Sequence, residues 1–343
     1  MELRLNQLAA HLERELAPLY VIHGDEPLFA IEAGDAIRAA ARRAGCEERE
    51  VYVIEAGFRW DAFVAANANL GLFGARKVID VRIPSGKPGV EGGKTLEAWA
   101  ASPNPDDVML VTLPRLDRAA QSSGWFTALA AAGVAVAVYP LERDELPQWI
   151  AQRLSRQQQR ASRETLAFLA DRCEGNLLAA KQEIEKLALL LPEGDLEHDA
   201  VERAVADVAR YDVFDLSGAC LAGDSVRALR IVSALEAEGE GLPLLLWQVG
   251  EDIHALATVL EATAGGMPVS AAIRNARVWG KRQAALERAA KRVRATEIPA
   301  LLRALAHLDA LSKGIGRGDP WDEFRSLIAT LAGKPVVPLG PTQ

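Results

Sequence analysis

Between residues 19 and 139 short apolar runs alternate with helical stretches, and no other pattern in this chain limits the fold as strongly. Strands are expected at 19–22, 50–54, 77–83, 107–112 and 134–139, with helices at 28–44, 61–66, 92–101 and 121–132 between them. A helix at 5–16, with Leu5, Leu8, Leu12 and Leu16 on one face, precedes the series and ends before Pro18. A strand, a crossover helix and a further strand lie parallel in one sheet, and such sheets take ligands at the carboxyl ends of their strands. After Leu141 the alternation stops. Three helical segments fill 146–191 without a strand pattern, and Gly175-Asn176 separates two of them, glycine ending one helix and asparagine capping the next. A short helix is expected at 197–206. Beyond Tyr211 all segments read as helices, at 213–221, 225–238, 242–264, near Ser270, 281–294, 297–315 and 320–331, the last opened by Asp319-Pro320. The Pro/Gly-rich stretch from Gly333 on is expected to fray. The fold class is therefore α/β plus all-α, with boundaries expected near 1–141, 142–210 and 211–334 and a tail at 335–343.

In such a sheet the turn after the first strand is the place for a phosphate loop. That loop needs G-x-x-x-x-G-K-[ST], because backbone amides and a lysine hold the phosphates and a hydroxyl holds magnesium. From Gly24 this chain reads Gly24-Asp25-Glu26-Pro27-Leu28-Phe29-Ala30-Ile31. The second glycine, the lysine and the hydroxyl are missing. Asp25 and Glu26 repel phosphate, and Pro27 removes an amide donor. The strand at 107–112 is followed by Leu113-Pro114, where a magnesium-binding acid is needed. Nucleotide hydrolysis is not expected, and neither is a bound cofactor.

The remaining chemistry is sparse. Cys46, Cys173 and Cys220 are odd in number and widely spaced, which suits a reducing compartment and suggests neither disulfide nor zinc site. His11, His23, His198, His254 and His307 show no metal-ligand spacing. No apolar run approaches the ~20 residues that cross a bilayer, so a cytoplasmic protein is expected. The net charge of −8 disfavours whole-molecule attraction to nucleic acid. One local exception exists: Arg274, Arg277, Lys281, Arg282, Arg288, Lys291, Arg292 and Arg294 cluster with Trp279, and Glu287 is the acid among them. Such a stripe can contact DNA phosphates or form a solvated or intersubunit face. At Asn69-Leu70-Gly71-Leu72-Phe73-Gly74-Ala75-Arg76 two large apolar residues sit between glycines, just before a strand. They can pack inward as an anchor or stand at the tip of a turn.

The order of these features resembles the δ subunits of the bacterial DNA polymerase III clamp loader. Five stretches carry the resemblance: Tyr20 through Leu28 (YVIHGDEPL), Leu70 through Lys77 (LGLFGARK), Leu113 through Phe126 (LPRLDRAAQSSGWF), Glu174-Gly175-Asn176-Leu177 through Lys186, and Arg277-Val278-Trp279-Gly280-Lys281-Arg282. The likeness runs from about Leu16 to Ala332. It implies an AAA+-like (P-loop NTPase-like) parallel-sheet domain with a degenerate phosphate loop at Gly24, Asp25 and Glu26, a helical lid and a helical-bundle collar that holds the subunit in a heteropentamer. Leu178 stands where ATPase relatives carry a nucleotide-sensing arginine after the Gly-Asn pair.

The resemblance also implies that Leu72 and Phe73, beside Leu70, enter a hydrophobic pocket of the β sliding clamp, while Gly71 and Gly74 match less closely. Its implied partners are that clamp, the motor subunits (γ/τ), δ′ and primed DNA. The subunit would open the clamp without hydrolysing ATP, as a non-catalytic member of the polymerase holoenzyme. Two rivals remain: a divergent P-loop NTPase or nucleotide-binding enzyme, and a helical scaffold with an unrelated βαβ module.

Overall fold

The computed structural model describes residues 1–68, 76–205, 209–276, 278 and 281–334, with Ala68 and Lys281 described by backbone alone. The chain divides into two compact units, Met1–Ala206 and Asp207–Gln343.

The first unit is built on a six-stranded parallel sheet. In chain order its elements are β1 (Glu2–Arg4), α1 (Leu5–Arg14), β2 (Leu19–Gly24), α2 (Pro27–Arg43), β3 (Cys46–Val53), α3 (Trp60–Ala68), β4 (Arg76–Arg82), α4 (Gly89–Ala101), β5 (Val108–Leu113), α5 (Arg118–Gln121), α6 (Gly124–Ala132) and β6 (Val134–Val138). The strand order is β1-β6-β2-β5-β4-β3. β2 lies inside the sheet and is apolar on both faces, as a doubly covered parallel strand must be. Tyr20 and Ile22 join the core under α1 and α2, and Leu19 and Val21 join the core under α3, α4 and α6. α4 approaches α3 closely at Gly92, where a Cβ would lie 2.5 Å from the Trp60 ring.

The helices that follow share the α2-side core. They are α7 (Leu146–Arg156), α8 (Arg163–Cys173), α9 (Leu177–Leu190) and α10 (His198–Ala204). Leu146, Ile150, Leu154, Leu177 and Ile184 pack into the same cluster as Leu28, Phe29 and Ile37. A two-pronged ion pair reinforces this contact, with Arg153 donating to Glu32 at 2.6 and 2.5 Å. The Arg153 guanidinium also lies 4.7 Å from the centre of the Trp149 ring.

Three departures from the sequence expectation have local causes. β1 was not expected; it is three residues long and pairs with β6 at the sheet edge. β3 starts at Cys46 rather than at residue 50, because its exposed edge position tolerates Glu47, Glu48 and Arg49, which carry no apolar signal. A strand pair also appears where the sequence predicts helix and, at 192–195, a loop: β7 (Gln159–Ala161) runs parallel to β8 (Gly194–Leu196). Side-chain hydrogen bonding helps hold it, since the buried Gln159 amide donates to the carbonyls of Leu187, Leu191 and Pro192.

The second unit is all-helical: α11 (Val213–Ala222), α12 (Ser225–Ala237), α13 (Leu242–Ala264), α14 (Val269–Asn275), α15 (Lys281–Arg292), α16 (Ile298–Ser312) and α17 (Pro320–Leu331). α13 runs through its core, burying Leu245, Leu246, Val249, Ile253, Leu256 and Val259. Among the described residues no helix is long and apolar enough to cross a membrane.

Arg292 joins three of these helices. From α15 its guanidinium donates to the carbonyls of Cys220 (3.0 Å) and Leu221 (3.2 Å) at the end of α11, and of Leu331 (3.0 Å) at the end of α17. A cation suits the negative end of a helix dipole, and here it serves two. The residues just beyond these helices, Gly223 and Gly333, both have φ of +85°, and a Cβ on either would lie 2.6 or 2.9 Å from the Arg292 side chain. Arg292→Ala leaves these carbonyls without their donor. It is expected to cost about 2–4 kcal/mol, read as a lower urea midpoint for the second unit, with Arg292→Lys restoring only part.

Candidate functional site

The carboxyl ends of β2, β5 and β6 meet at Gly24, the point where a phosphate loop would begin. Gly24 has φ of +148°, and a Cβ there would fall 1.7 Å from the Val138 carbonyl oxygen. No other residue type permits so close a pass. That carbonyl accepts the amides of Asp25 (3.1 Å) and Glu26 (3.4 Å). Pro27, first in α2, has no amide to offer, and the Leu28 amide donates to the Glu26 carboxylate at 3.0 Å. The donors that a phosphate loop directs at its ligand are thus met from within the chain. The helix N-terminus holds a carboxylate of its own, as its dipole favours.

The electrostatics follow from this closure. Burial pushes the Glu26 carboxyl upward; the Leu28 amide opposes this, and the nearby Asp25 charge adds to it. Asp25 accepts from Arg115 at 3.0 Å, and that guanidinium lies 5.6 Å from the centre of the Tyr139 ring. His23 is buried, and its ring meets Phe126 edge-on at 5.3 Å and Tyr139 at 6.3 Å. Burial lowers its pKa and so favours the neutral ring. Among the described residues no group of three or more His, Cys, Asp or Glu is arranged to hold a metal ion.

Leu70, Leu72 and Phe73 lie outside the described residues; Asn67 precedes their segment and Arg76 follows it. At its entrance the Asn67 amide donates to the Phe63 carbonyl (2.9 Å) and the Tyr52 hydroxyl (3.3 Å). At its exit Arg76 donates to the carbonyls of Ala44 (2.6 Å) and Asp106 (3.0 Å). The Lys77 amide donates to Asp107 at 3.1 Å, so Asp107 holds the start of β4 as well as capping its own turn through Asn104. Near the carboxyl ends of β3 and β4 lies an open cleft of about 610 Å³, lined by Ile54, Phe58, Trp60, Pro84, Lys87 and Val90 among others. No motif marks it in the sequence, because its walls come from two separate loops.

The basic stretch is more internally paired than its sequence suggests. Arg282 forms an ion pair with Asp252, a buried acid on α13. Burial raises the Asp252 pKa, while the Arg282 charge and hydrogen bonds from Arg282 and Gln248 lower it. Lys291 pairs with Glu287 at 2.8 Å and Arg294 with Glu297 at 2.9 Å, and Arg292 serves the helix ends. Among the described residues, two acids besides Glu287 thus face the stretch: Asp252, distant in sequence, and Glu297, just after it. Arg274 and Arg288 are exposed. Arg277, Trp279 and the Lys281 side chain lie outside the described residues.

The sequence model of the family described as DNA polymerase III, delta subunit, matches residues 20–138. The DNA polymerase III subunit delta of Escherichia coli (strain K12) is 30% identical over 333 residues, covering 96% of both chains. The Haemophilus influenzae protein of the same name is 23% identical over 332 residues, 94% of this chain and 96% of that one. Among solved structures, the Bacillus subtilis DNA clamp loader delta protein superposes with a TM-score of 0.52 at 18% identity. It covers 96% of this chain and 100% of its own, a likeness of fold. The architecture is the AAA+-like α/β plus all-α fold that the motifs implied. From the Escherichia coli match, which runs nearly end to end, the chain belongs to the DNA polymerase III delta subunit family.

Proposed function

We propose that this protein is a clamp-loader subunit that binds and opens the β sliding clamp for loading onto primed DNA, without hydrolysing ATP itself. The observation that carries this reading is the similarity to the Escherichia coli delta subunit over 96% of both chains. The closed turn at Gly24 supports its non-hydrolytic part. ATP does not fit these residues: the amides of Asp25 and Glu26 point at Val138, the Leu28 amide is capped by Glu26, and no lysine stands in the loop. A divergent NTPase needs those same groups free. No step through nucleotide chemistry is assigned to this chain.

In this reading Leu72 and Phe73, with Leu70 beside them, are apolar plugs for a pocket on the clamp. The described residues on either side are held from within the first unit, Asn67 by Phe63 and Arg76 by Ala44, which supports this reading. Clamp opening is then a shift in population, since a surface that binds the sprung interface better than the closed one favours the open ring by that difference. Residues 142–210 act as a lid, and the second unit acts as the collar that joins the motor subunits (γ/τ) and δ′ in a heteropentamer. The setting is the cytoplasmic replisome.

Replacing both Leu72 and Phe73 by alanine is expected to weaken clamp binding by about 100-fold or more, with thermal stability unchanged. Unaltered clamp affinity in a titration would sink the assignment. In the assembled complex, Arg274→Glu with Arg277→Glu is expected to weaken primed-DNA binding and flatten its salt dependence. If both stay as in wild type, the basic stretch is a solvated or intersubunit face instead.

A further inference from the structure

The face of the sheet that carries α2 is covered unevenly. Over β2, β5 and β6 it is fully buried, with Tyr20, Ile22, Leu110 and Val136 all at 0% exposure. Over the edge strand β3 it is not: Val51 and Val53 are 46% and 44% exposed. These residues lie on the same side as α2. Val51 sits beside Asp80 and Val53 beside Arg82 in the parallel register, and Asp80 accepts from Arg38 of α2 at 3.1 Å. Strands of a parallel sheet are normally covered on both faces by helices. Here α2 leaves the outer strip of the layer bare, and it exposes Ile31 (48%) on its own surface.

The charge around this strip is one-sided. Arg38, Arg49 and Arg82 converge on the single buried carboxylate of Asp80, at 3.1, 2.6 and 3.4 Å. Arg38 also reaches the exposed Asp35 at 2.7 Å. Each guanidinium carries about five N–H donors, whereas a carboxylate offers roughly four acceptor positions, so Asp80 cannot saturate three arginines. Arg42 on α2 is exposed as well, and Glu47 and Glu48 lie at the opposite end of β3 from Val53. An apolar floor bordered by under-neutralised guanidiniums suits carboxylates set beside apolar side chains.

We infer that the bare strip over β3 docks an acidic amphipathic helix from a partner protein. Its apolar residues cover Val51, Val53 and Ile31 and complete the helical layer beside α2. Its glutamates or aspartates pair with Arg49, Arg82 and Arg38. The surface uses none of the residues assigned above to clamp or DNA, so it stands or falls separately from that function.

The test is fluorescence anisotropy with the full chain. The probe is a labelled synthetic helix with leucines at helical spacing and glutamates on both flanks; the controls are the same helix with lysines for glutamates and a short DNA duplex. The glutamate helix is expected to bind. Its Kd should rise about tenfold or more in Val51→Ser/Val53→Ser, in Arg49→Gln/Arg82→Gln, and on raising salt from about 0.1 to 0.5 M. The serine pair leaves the Asp80 ion pairs intact, so it decides the matter if the glutamine pair fails to fold. Absence of binding, equal binding of the lysine helix, or unchanged affinity in the serine variant overturns the proposal. Preferential duplex binding that the glutamine variant abolishes also overturns it and makes the strip a phosphate surface.

Discussion

The Val138 carbonyl oxygen lies so close to Gly24 that no side chain fits between them. Three strands of the sheet end around this contact. β6 brings the carbonyl, β2 brings the glycine, and Arg115 from just beyond β5 pairs with Asp25 across the mouth of the turn. In a nucleotide-binding sheet the same turn stays open and spends its amides on phosphate. Here Val138 and Glu26 take those amides, and α2 starts from an N-terminus that is already capped. In an ATPase that turn organises a phosphate site; here it ties the ends of β2 and β6 together.

That closure bears on how the helices after the sheet are held. Where nucleotide bridges a sheet and its lid, their relative position can follow the ligand. In this chain α7 and α9 share a core with α2, and Arg153 grips Glu32 with two short hydrogen bonds beside Trp149. A partly buried, two-pronged pair of this kind fixes orientation more firmly than a surface pair. The helices after the sheet are thereby tied to α2 by packing and by charge. In the second unit Arg292 and Arg282, read in sequence as part of a basic stripe, satisfy helix ends and a buried acid.

Much of this was legible in the sequence where the physics is local. The apolar runs of β2, β4, β5 and β6 announce a covered parallel sheet, and Asp319-Pro320 marks the start of α17. The loss of lysine and hydroxyl after Gly24 could be read directly; that Val138 fills the place could not, because its carbonyl arrives from more than a hundred residues away. β3 began earlier than expected because exposed charge hides an edge strand, and β7 was missed because its register depends on the Gln159 side chain rather than on apolar alternation. Asp252 escaped notice as the partner of Arg282 because nothing in α13 distinguishes a buried acid from an exposed one. The segment with Leu70, Leu72 and Phe73 stands out in the sequence by its apolar pair between glycines and by motif order, and it lies outside the described residues.

In the proposed reading this AAA+-like unit has given up its nucleotide and works through protein contacts. Equilibrium titration of the isolated chain with a fluorescent ATP analogue and magnesium tests that most directly. The closed turn predicts no saturable binding at concentrations up to about 1 mM. Saturable, magnesium-dependent binding in the micromolar range, lost on mutation around Gly24, would contradict it.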